Sequence, residues 1–134
     1  MAPINVSKHI LIVDDESEIR EILSKVILSL EGFHVSLAGN GEEALDLLKK
    51  HPVDLIITDI AMPKMNGFEF LRRLKVLGLH IPIVVITGQG DQGVSHLLGP
   101  YGVKYFLNKP WNNNELISII KNLLLLKIKK DSAS

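Results

Sequence analysis

The chain has 134 residues, of which 46% are hydrophobic and 22% charged, and its 15 basic side chains balance its 15 acidic ones. This length fits one domain, and this composition is typical of a folded globular protein. The lack of cysteine excludes disulfide frameworks, thiolate metal sites and cysteine nucleophiles.

The charges are unevenly distributed along the chain. Residues 1–60 hold 5 basic and 11 acidic side chains, whereas residues 61–134 hold 10 basic and 4 acidic ones. Zero net charge gives little support to a nucleic-acid binder. We find no signal-peptide core and no apolar run long enough to span a membrane, so we expect a cytoplasmic protein without direct nucleic-acid or membrane contacts.

The first third of the chain alternates between strand and helix patterns. Residues 9–13 form a continuous apolar run, which is typical of a strand covered on both faces. Residues 16–30 have apolar side chains at spacings of three and four, which predicts a helix, and residues 33–38 predict a second strand. The apolar face of that helix is predicted to comprise Ile19, Ile22, Leu23, Val26, Ile27 and Leu30.

The same alternation continues to the end of the chain. Asn40 and Glu43 resemble a capping box at the start of a second helix, which ends before Pro52. Further strands are predicted at 53–58, 81–87 and 105–108, and further helices at 68–77, at 91–98, which is weakened by glycine, and from 111 onward. Five β–α units in tandem predict a parallel sheet covered by helices on both faces.

Polar residues follow four of the five predicted strands at the point where each strand ends. Asp14 and Asp15 follow the first strand, Asp59 follows the third, Thr87 ends the fourth and Lys109 follows the fifth. Ligands bind beyond the carboxyl ends of the strands in open α/β sheets. We therefore expect these five side chains to meet at one edge, although each alone has an ordinary explanation as a cap, a turn or a surface residue.

Three carboxylates at one edge require compensating positive charge. Two like charges about 4 Å apart repel by about 4 kcal/mol at an effective dielectric constant near 20. Lys109 supplies one positive charge, and Mg²⁺, which binds a few carboxylates together with phosphate, is the cation expected for the rest. Such a site suits phosphoryl transfer, and aspartate is a known phosphoenzyme nucleophile.

The chain resembles the receiver domain of two-component response regulators, of the chemotaxis-regulator-like kind, over residues 9–126. Four segments carry the resemblance: Ile-Val-Asp-Asp at 12–15, Thr-Asp-Ile-Ala-Met-Pro-Lys-Met-Asn-Gly at 58–67, Ile-Thr-Gly at 86–88 and Phe-Leu-Asn-Lys-Pro-Trp at 106–111. The resemblance implies a flavodoxin-like, doubly wound (βα)5 three-layer sandwich with strand order 2-1-3-4-5. Residues 1–8 would then be an N-terminal extension and residues 127–134 a basic tail.

The resemblance also implies a reaction, in which a sensor histidine kinase or a histidine phosphotransfer domain donates a phosphoryl group to Asp59. Thr87 and Lys109 would contact the phosphoryl oxygens. The implied Mg²⁺ ligands are three carboxylates and one backbone carbonyl, those of Asp14, Asp15, Asp59 and Ala61. The chain would assist its own phosphorylation and dephosphorylation without turning over a separate substrate, so we do not expect an enzyme.

The output implied by the resemblance is a switch in the surface formed by the fourth helix, the fifth strand and the fifth helix. Thr87 would move toward the phosphoryl group, and Phe106, three residues before Lys109, would turn inward behind it. Tyr105 would face the other side of the strand and is not given this role. The downstream target is not identified, and a phosphorylation-dependent homodimer is a further partner consistent with the resemblance.

Other interpretations remain open at this point. The chain could be a receiver module taken from a hybrid histidine kinase or a multidomain regulator, or a degenerate receiver that only binds proteins. The G-x-G-x-x-G at 88–93 follows the fourth strand rather than the first, which argues against a dinucleotide site. A phosphatase of the haloacid dehalogenase type would need an aspartate where Ala61 stands. Five histidines are expected to be structural or exposed, without partners spaced for metal binding: His9, His34, His51, His80 and His96.

Overall fold

The computed structural model of the chain describes residues 7–61, 67–88 and 98–125. These residues form five strands and four helices, together with a 3-10 turn at Gly99–Tyr101. The strands are β1 (Lys8–Val13), β2 (Phe33–Ala38), β3 (Leu55–Thr58), β4 (Ile83–Thr87) and β5 (Val103–Asn108). The helices are α1 (Ser17–Leu28), α2 (Gly41–Lys50), α3 (Gly67–Val76) and α4 (Asn113–Leu124). Among the described residues, no helix is long and apolar enough to cross a membrane.

The five strands form one parallel sheet in the order β2-β1-β3-β4-β5. This confirms the predicted fold class and strand order. Because all strands run in one direction, their carboxyl ends lie along a single edge of the sheet, and the helices that follow β1, β2 and β3 begin beside that edge.

Two apolar cores cover the two faces of the sheet. Leu11 and Val13 of β1 pack on the face covered by α2 and α3, whereas Ile10 and Ile12 pack on the face covered by α1 and α4. All four side chains are buried. The continuous apolar runs in the sequence are explained by this burial on both faces.

The observed bounds differ from the predicted ones by a few residues. β3 begins at Leu55 and β4 at Ile83, each two residues later than predicted, while β5 begins two residues earlier at Val103. Ile22, predicted on the apolar face of α1, is 47% exposed, whereas Leu23 and Ile27 of the predicted face are buried, so the prediction for Ile22 is wrong. Residues 91–97 of the predicted fourth helix, and most of the glycine motif at 88–93, lie outside the described residues.

The predicted cap of the second helix is confirmed. The Asn40 side chain accepts a hydrogen bond of 2.9 Å from the Glu43 backbone N–H. The Glu43 carboxylate in turn accepts a bond of 2.8 Å from the Gly39 N–H, one residue before the usual partner in a capping box. These two bonds fix where α2 begins.

Candidate functional site

The ends of β1, β3, β4 and β5 bring the predicted polar residues together. We call this region the carboxyl edge and define it by six residues: Asp14, Asp15, Glu16, Asp59, Thr87 and Lys109. Five of them are the side chains that sequence analysis expected to meet there. From sequence, the sixth residue, Glu16, was predicted only to begin the first helix.

The Lys109 ammonium lies at the centre of the carboxyl edge. Its Nζ is 2.9 Å from Asp14 Oδ2, 2.9 Å from Asp59 Oδ2 and 3.1 Å from Glu16 Oε1. The side chains of Asp14 and Asp59 are only 3% and 5% exposed, and that of Lys109 is 13% exposed. The two aspartate contacts are therefore shielded from water, and charges so placed depend strongly on each other.

Asp14 is held by the first turn of the helix that follows it. Its Oδ1 accepts a hydrogen bond of 2.8 Å from the Glu16 N–H. Arg20, one turn further along, donates from Nη1 to the Asp14 backbone carbonyl at 2.6 Å. The end of β1 and the start of α1 are thus tied together, which directs Oδ2 of Asp14 at Lys109.

Asp59 is held by the backbone that follows β3. Its Oδ1 accepts a hydrogen bond of 3.0 Å from the Ala61 N–H, which leaves Oδ2 for Lys109. Gly67, the first residue of α3, donates its N–H to the Ile60 carbonyl at 2.9 Å. A Cβ on Gly67 would lie 2.3 Å from Ile60 Cα, so only glycine allows α3 to begin so close to the residue after Asp59.

The remaining predicted residues lie on β4 and β5. Thr87 is fully buried, and its carbonyl accepts a hydrogen bond of 2.9 Å from the Lys109 N–H, which places the two residues side by side. Phe106 packs on the α2 and α3 face of the sheet. Tyr105 packs on the opposite face and its hydroxyl accepts a bond from Asn122, so the two aromatic residues alternate as predicted.

Burial and hydrogen bonding act in opposite directions on the pKa values of Asp14 and Lys109. Burial raises the pKa of the Asp14 carboxyl, against the opposing effect of the hydrogen bond from Lys109. Burial also acts to lower the pKa of Lys109, but hydrogen bonds to Asp14, Asp59 and Glu16 outweigh it, so the pKa is raised. Lys109 therefore stays charged, and at Asp14 the effect of burial on the pKa outweighs that of the hydrogen bond from Lys109.

The carboxyl edge fits a hard divalent cation. Four carboxylates each offer an oxygen, and these oxygens all lie within 4.8 Å of one another: those of Asp14, Asp15, Glu16 and Asp59. Oxygen ligands of this kind suit Mg²⁺. The described contact of Ala61 is made by its N–H, so the role assigned to its carbonyl stays a prediction.

Sequence analysis missed the contacts of two residues, Glu16 and His9. Nothing in the residue pattern showed that the Glu16 side chain reaches Lys109, 93 positions away. His9 was expected only to be structural or exposed, and its particular partners were not foreseen: its Nε2 lies 2.6 Å from Ser36 Oγ, and its ring lies 6.4 Å from that of His51. Both contacts depend on strand register and on where α2 ends, which composition and spacing do not reveal.

Comparison with known proteins identifies the family. A family model of the response regulator receiver domain matches residues 10–121. The chain is 39% identical to the transcriptional regulatory protein CpxR of Escherichia coli (strain K12), over 86% of this chain and 48% of that protein. It is 34% identical to sporulation initiation phosphotransferase F of Bacillus subtilis (strain 168), over 91% of this chain and 98% of that protein.

Solved structures agree with this result. The chemotaxis protein CheY4 of Vibrio cholerae superposes with a TM-score of 0.80 and 30% identity, covering 89% of this chain and all of that one. The chain spans about half the length of the transcriptional regulators that it matches and nearly all of the sporulation phosphotransferase. The chain belongs to the receiver domain family of two-component response regulators.

Proposed function

We propose that this receiver domain accepts a phosphoryl group on Asp59 from the phosphohistidine of a sensor histidine kinase or a histidine phosphotransfer domain. The observation that carries the proposal is the position of Lys109 Nζ, 2.9 Å from both Asp14 and Asp59 at the carboxyl edge. A buried carboxylate beside a fixed ammonium and further acidic ligands suits an incoming phosphoryl group.

The chemistry follows from the way Asp59 is held. Its Oδ1 is fixed by the Ala61 N–H, so Oδ2 is the oxygen directed at Lys109 and available for attack. Oδ2 forms a bond to phosphorus while the bond between phosphorus and the donor imidazole nitrogen breaks, and the imidazole keeps the electron pair and takes up a proton. Lys109 then pairs with a phosphoryl oxygen, and the buried Thr87 beside it contacts another.

Mg²⁺ is part of the proposal. Asp14, Asp15 and Asp59, with the carbonyl of Ala61, would hold the ion. The ion would neutralise the negative charge of the carboxylates and of the phosphoryl oxygens. The residues of the chain contribute positioning and fixed charge, which is most of what phosphoryl transfer needs.

The output is proposed to be a change of surface at β5 and its neighbouring helices, in which Thr87 moves toward the phosphoryl group and Phe106 turns inward. Three kinds of target are consistent with this output: another domain of a longer regulator, a separate protein, and a second copy of the chain. The relatives include a protein of which the chain covers 48% and one of which it covers 98%. Independence from nucleic acid stays a prediction, because two of these relatives are named transcriptional regulators.

The proposal includes two expectations from sequence: a cytoplasmic location, and no turnover of a separate substrate. Slow hydrolysis of the aspartyl phosphate would return the domain to its resting state. A receiver that only binds proteins would not require the buried Asp14–Lys109–Asp59 network, and this network favours phosphorylation over that alternative.

Incubation with acetyl phosphate and Mg²⁺ tests the proposal. We expect the wild-type chain to gain an acid-stable, base-labile phosphoryl group and the Asp59→Asn variant to gain none. Phosphotransfer profiling against candidate kinases would then identify the donor. If the wild-type chain takes up no phosphoryl group from the small donor or from any kinase, the proposed function is wrong.

A further inference from the structure

The ammonium of Lys109 has no donor left for a phosphoryl oxygen in this state. A lysine ammonium has three N–H groups. Three carboxylate oxygens surround Lys109 Nζ at hydrogen-bonding distance, those of Asp14, Asp59 and Glu16. Lys109 can therefore pair with an oxygen of the incoming phosphoryl group, before Asp59 Oδ2 has bonded to phosphorus, only if one of these three contacts breaks.

The three carboxylates differ in how firmly they are held. The side chains of Asp14 and Asp59 are 3% and 5% exposed, and each has its second oxygen fixed by a backbone N–H. The Glu16 side chain is 59% exposed and approaches Lys109 from the solvent side. An exposed pair of this kind contributes little stability and is screened by salt. Glu16 is therefore the partner that Lys109 can exchange at the lowest cost.

We propose that Glu16 is a positioning residue that occupies the third N–H of Lys109 until a phosphoryl oxygen replaces it. The inference rests on the proposed function, since it concerns the same lysine. Glu16 keeps the ammonium directed at the carboxyl edge in the resting domain, and its negative charge opposes the incoming phosphoryl group. It thereby slows uptake and limits phosphorylation by weak donors.

Neutralising Glu16 tests the inference. We expect Glu16→Gln to take up phosphoryl groups from acetyl phosphate, at saturating Mg²⁺, about two- to fivefold faster than wild type, the range given by an exposed ion pair. Glu16→Ala should be at least as fast. Glu18→Gln is the matched control, because Glu18 lies in the first turn of α1 and its substitution removes the same charge. The rate of this variant should equal that of wild type.

Two further measurements separate this role from a general effect of charge. The ratio of the Glu16→Gln rate to the wild-type rate should fall toward one as the salt concentration rises, because salt screens the exposed pair. In the unphosphorylated domain, nuclear magnetic resonance should show faster exchange of the Lys109 ammonium protons with water in Glu16→Gln than in wild type or Glu18→Gln.

The outcomes distinguish the inference from the proposed function. If wild type is phosphorylated on Asp59 but Glu16→Gln is no faster, the inference is wrong and the proposed function stands. If Glu16→Gln weakens Mg²⁺ binding and slows uptake, Glu16 is a metal ligand instead, and the inference is again overturned. If wild type is never phosphorylated, the proposed function fails, whatever the ammonium exchange shows.

Discussion

The two ends of the sheet both gather polar side chains but differ in charge balance. At the end where the strands begin, the His9 N–H donates to Asp54 at 2.8 Å, and the His9 ring bonds to Ser36. At the carboxyl edge, Asp14 and Asp59 share one ammonium with Glu16. Groups at the first end satisfy each other locally, whereas the carboxylates of the carboxyl edge outnumber the ammonium that they share, which is why we propose Mg²⁺ there.

This difference indicates that unbalanced charge, more than polarity, distinguishes the site. Polar pairs such as His9 and Ser36 need no ligand to be satisfied. Buried carboxylates in excess of their cations are costly, and a fold keeps them where a ligand offsets the cost. The acidic first half and basic second half of the chain partly reflect this arrangement, since Asp14 and Asp59 come from one and Lys109 from the other.

The largest effect is expected on removing the shared cation. Lys109→Met leaves Asp14 and Asp59 buried without their ammonium, so the free energy of unfolding should fall by about 3 kcal/mol or more in urea titrations without Mg²⁺. Adding Mg²⁺ should restore part of the loss, because an ion bound to the folded state stabilises it. Lys104 is an exposed lysine on β5, the strand that Lys109 follows, so Lys104→Met should change stability little. An equal loss in that variant would contradict the buried network.

Crowding the start of α3 should give the next largest effect. In Gly67→Ala the new methyl group would meet the Ile60 backbone, so we expect a loss of about 1–3 kcal/mol in the free energy of unfolding. Gly99→Ala is the control, because nothing lies within 4 Å of the added carbon. Equal stability of the two variants in thermal unfolding would show that the close contact at Gly67 is not as described.

Removing the cap of α2 should have a smaller effect. Asn40→Ala loses the bond to the Glu43 N–H and should cost about 1 kcal/mol, measured by urea unfolding. Asn112→Ala, which removes the equivalent bond to Glu115 at the start of α4, should cost a similar amount. Neither variant touches the ion network, so both should accept phosphoryl groups at the wild-type rate, and a slowed rate would argue against this independence.

The smallest effect is expected at the other end of the sheet. Burial, and then the nearby His34 and His51, lower the pKa of His9 below its usual 6.5. The unfolded chain therefore binds a proton at His9 more readily than the folded chain does. The contribution of neutral His9 to the free energy of unfolding is present above pH 6.5 and is lost as the pH falls through 6.5 toward the lower pKa of the folded state. His9→Gln should flatten the decrease in the free energy of unfolding that urea titrations show as the pH falls below 6.5. Identical pH dependence in wild type and His9→Gln would contradict this.

The parallel sheet with helices on both faces and most of the carboxyl edge could be predicted because they follow from periodicity and from where strands end, whereas the strand order was implied by the family resemblance. Parallel strands place their carboxyl ends together, so Asp14, Asp59 and Lys109 could be brought to one edge without a structure. Contacts that depend on the reach of a side chain or on strand register could not be predicted in this way. Glu16 contacts Lys109 only because the glutamate side chain is long enough to reach it, and His9 contacts Ser36 only because β1 and β2 pair in one register.

Locating the modified residue tests the central claim most directly. After incubation with acetyl phosphate and Mg²⁺, borohydride reduces an aspartyl phosphate to homoserine, which peptide mass spectrometry can place in the sequence. The account predicts homoserine at position 59 and aspartate at positions 14 and 15. Reduction at Asp14 or Asp15, or no reduced residue in a chain that remains folded, would contradict it.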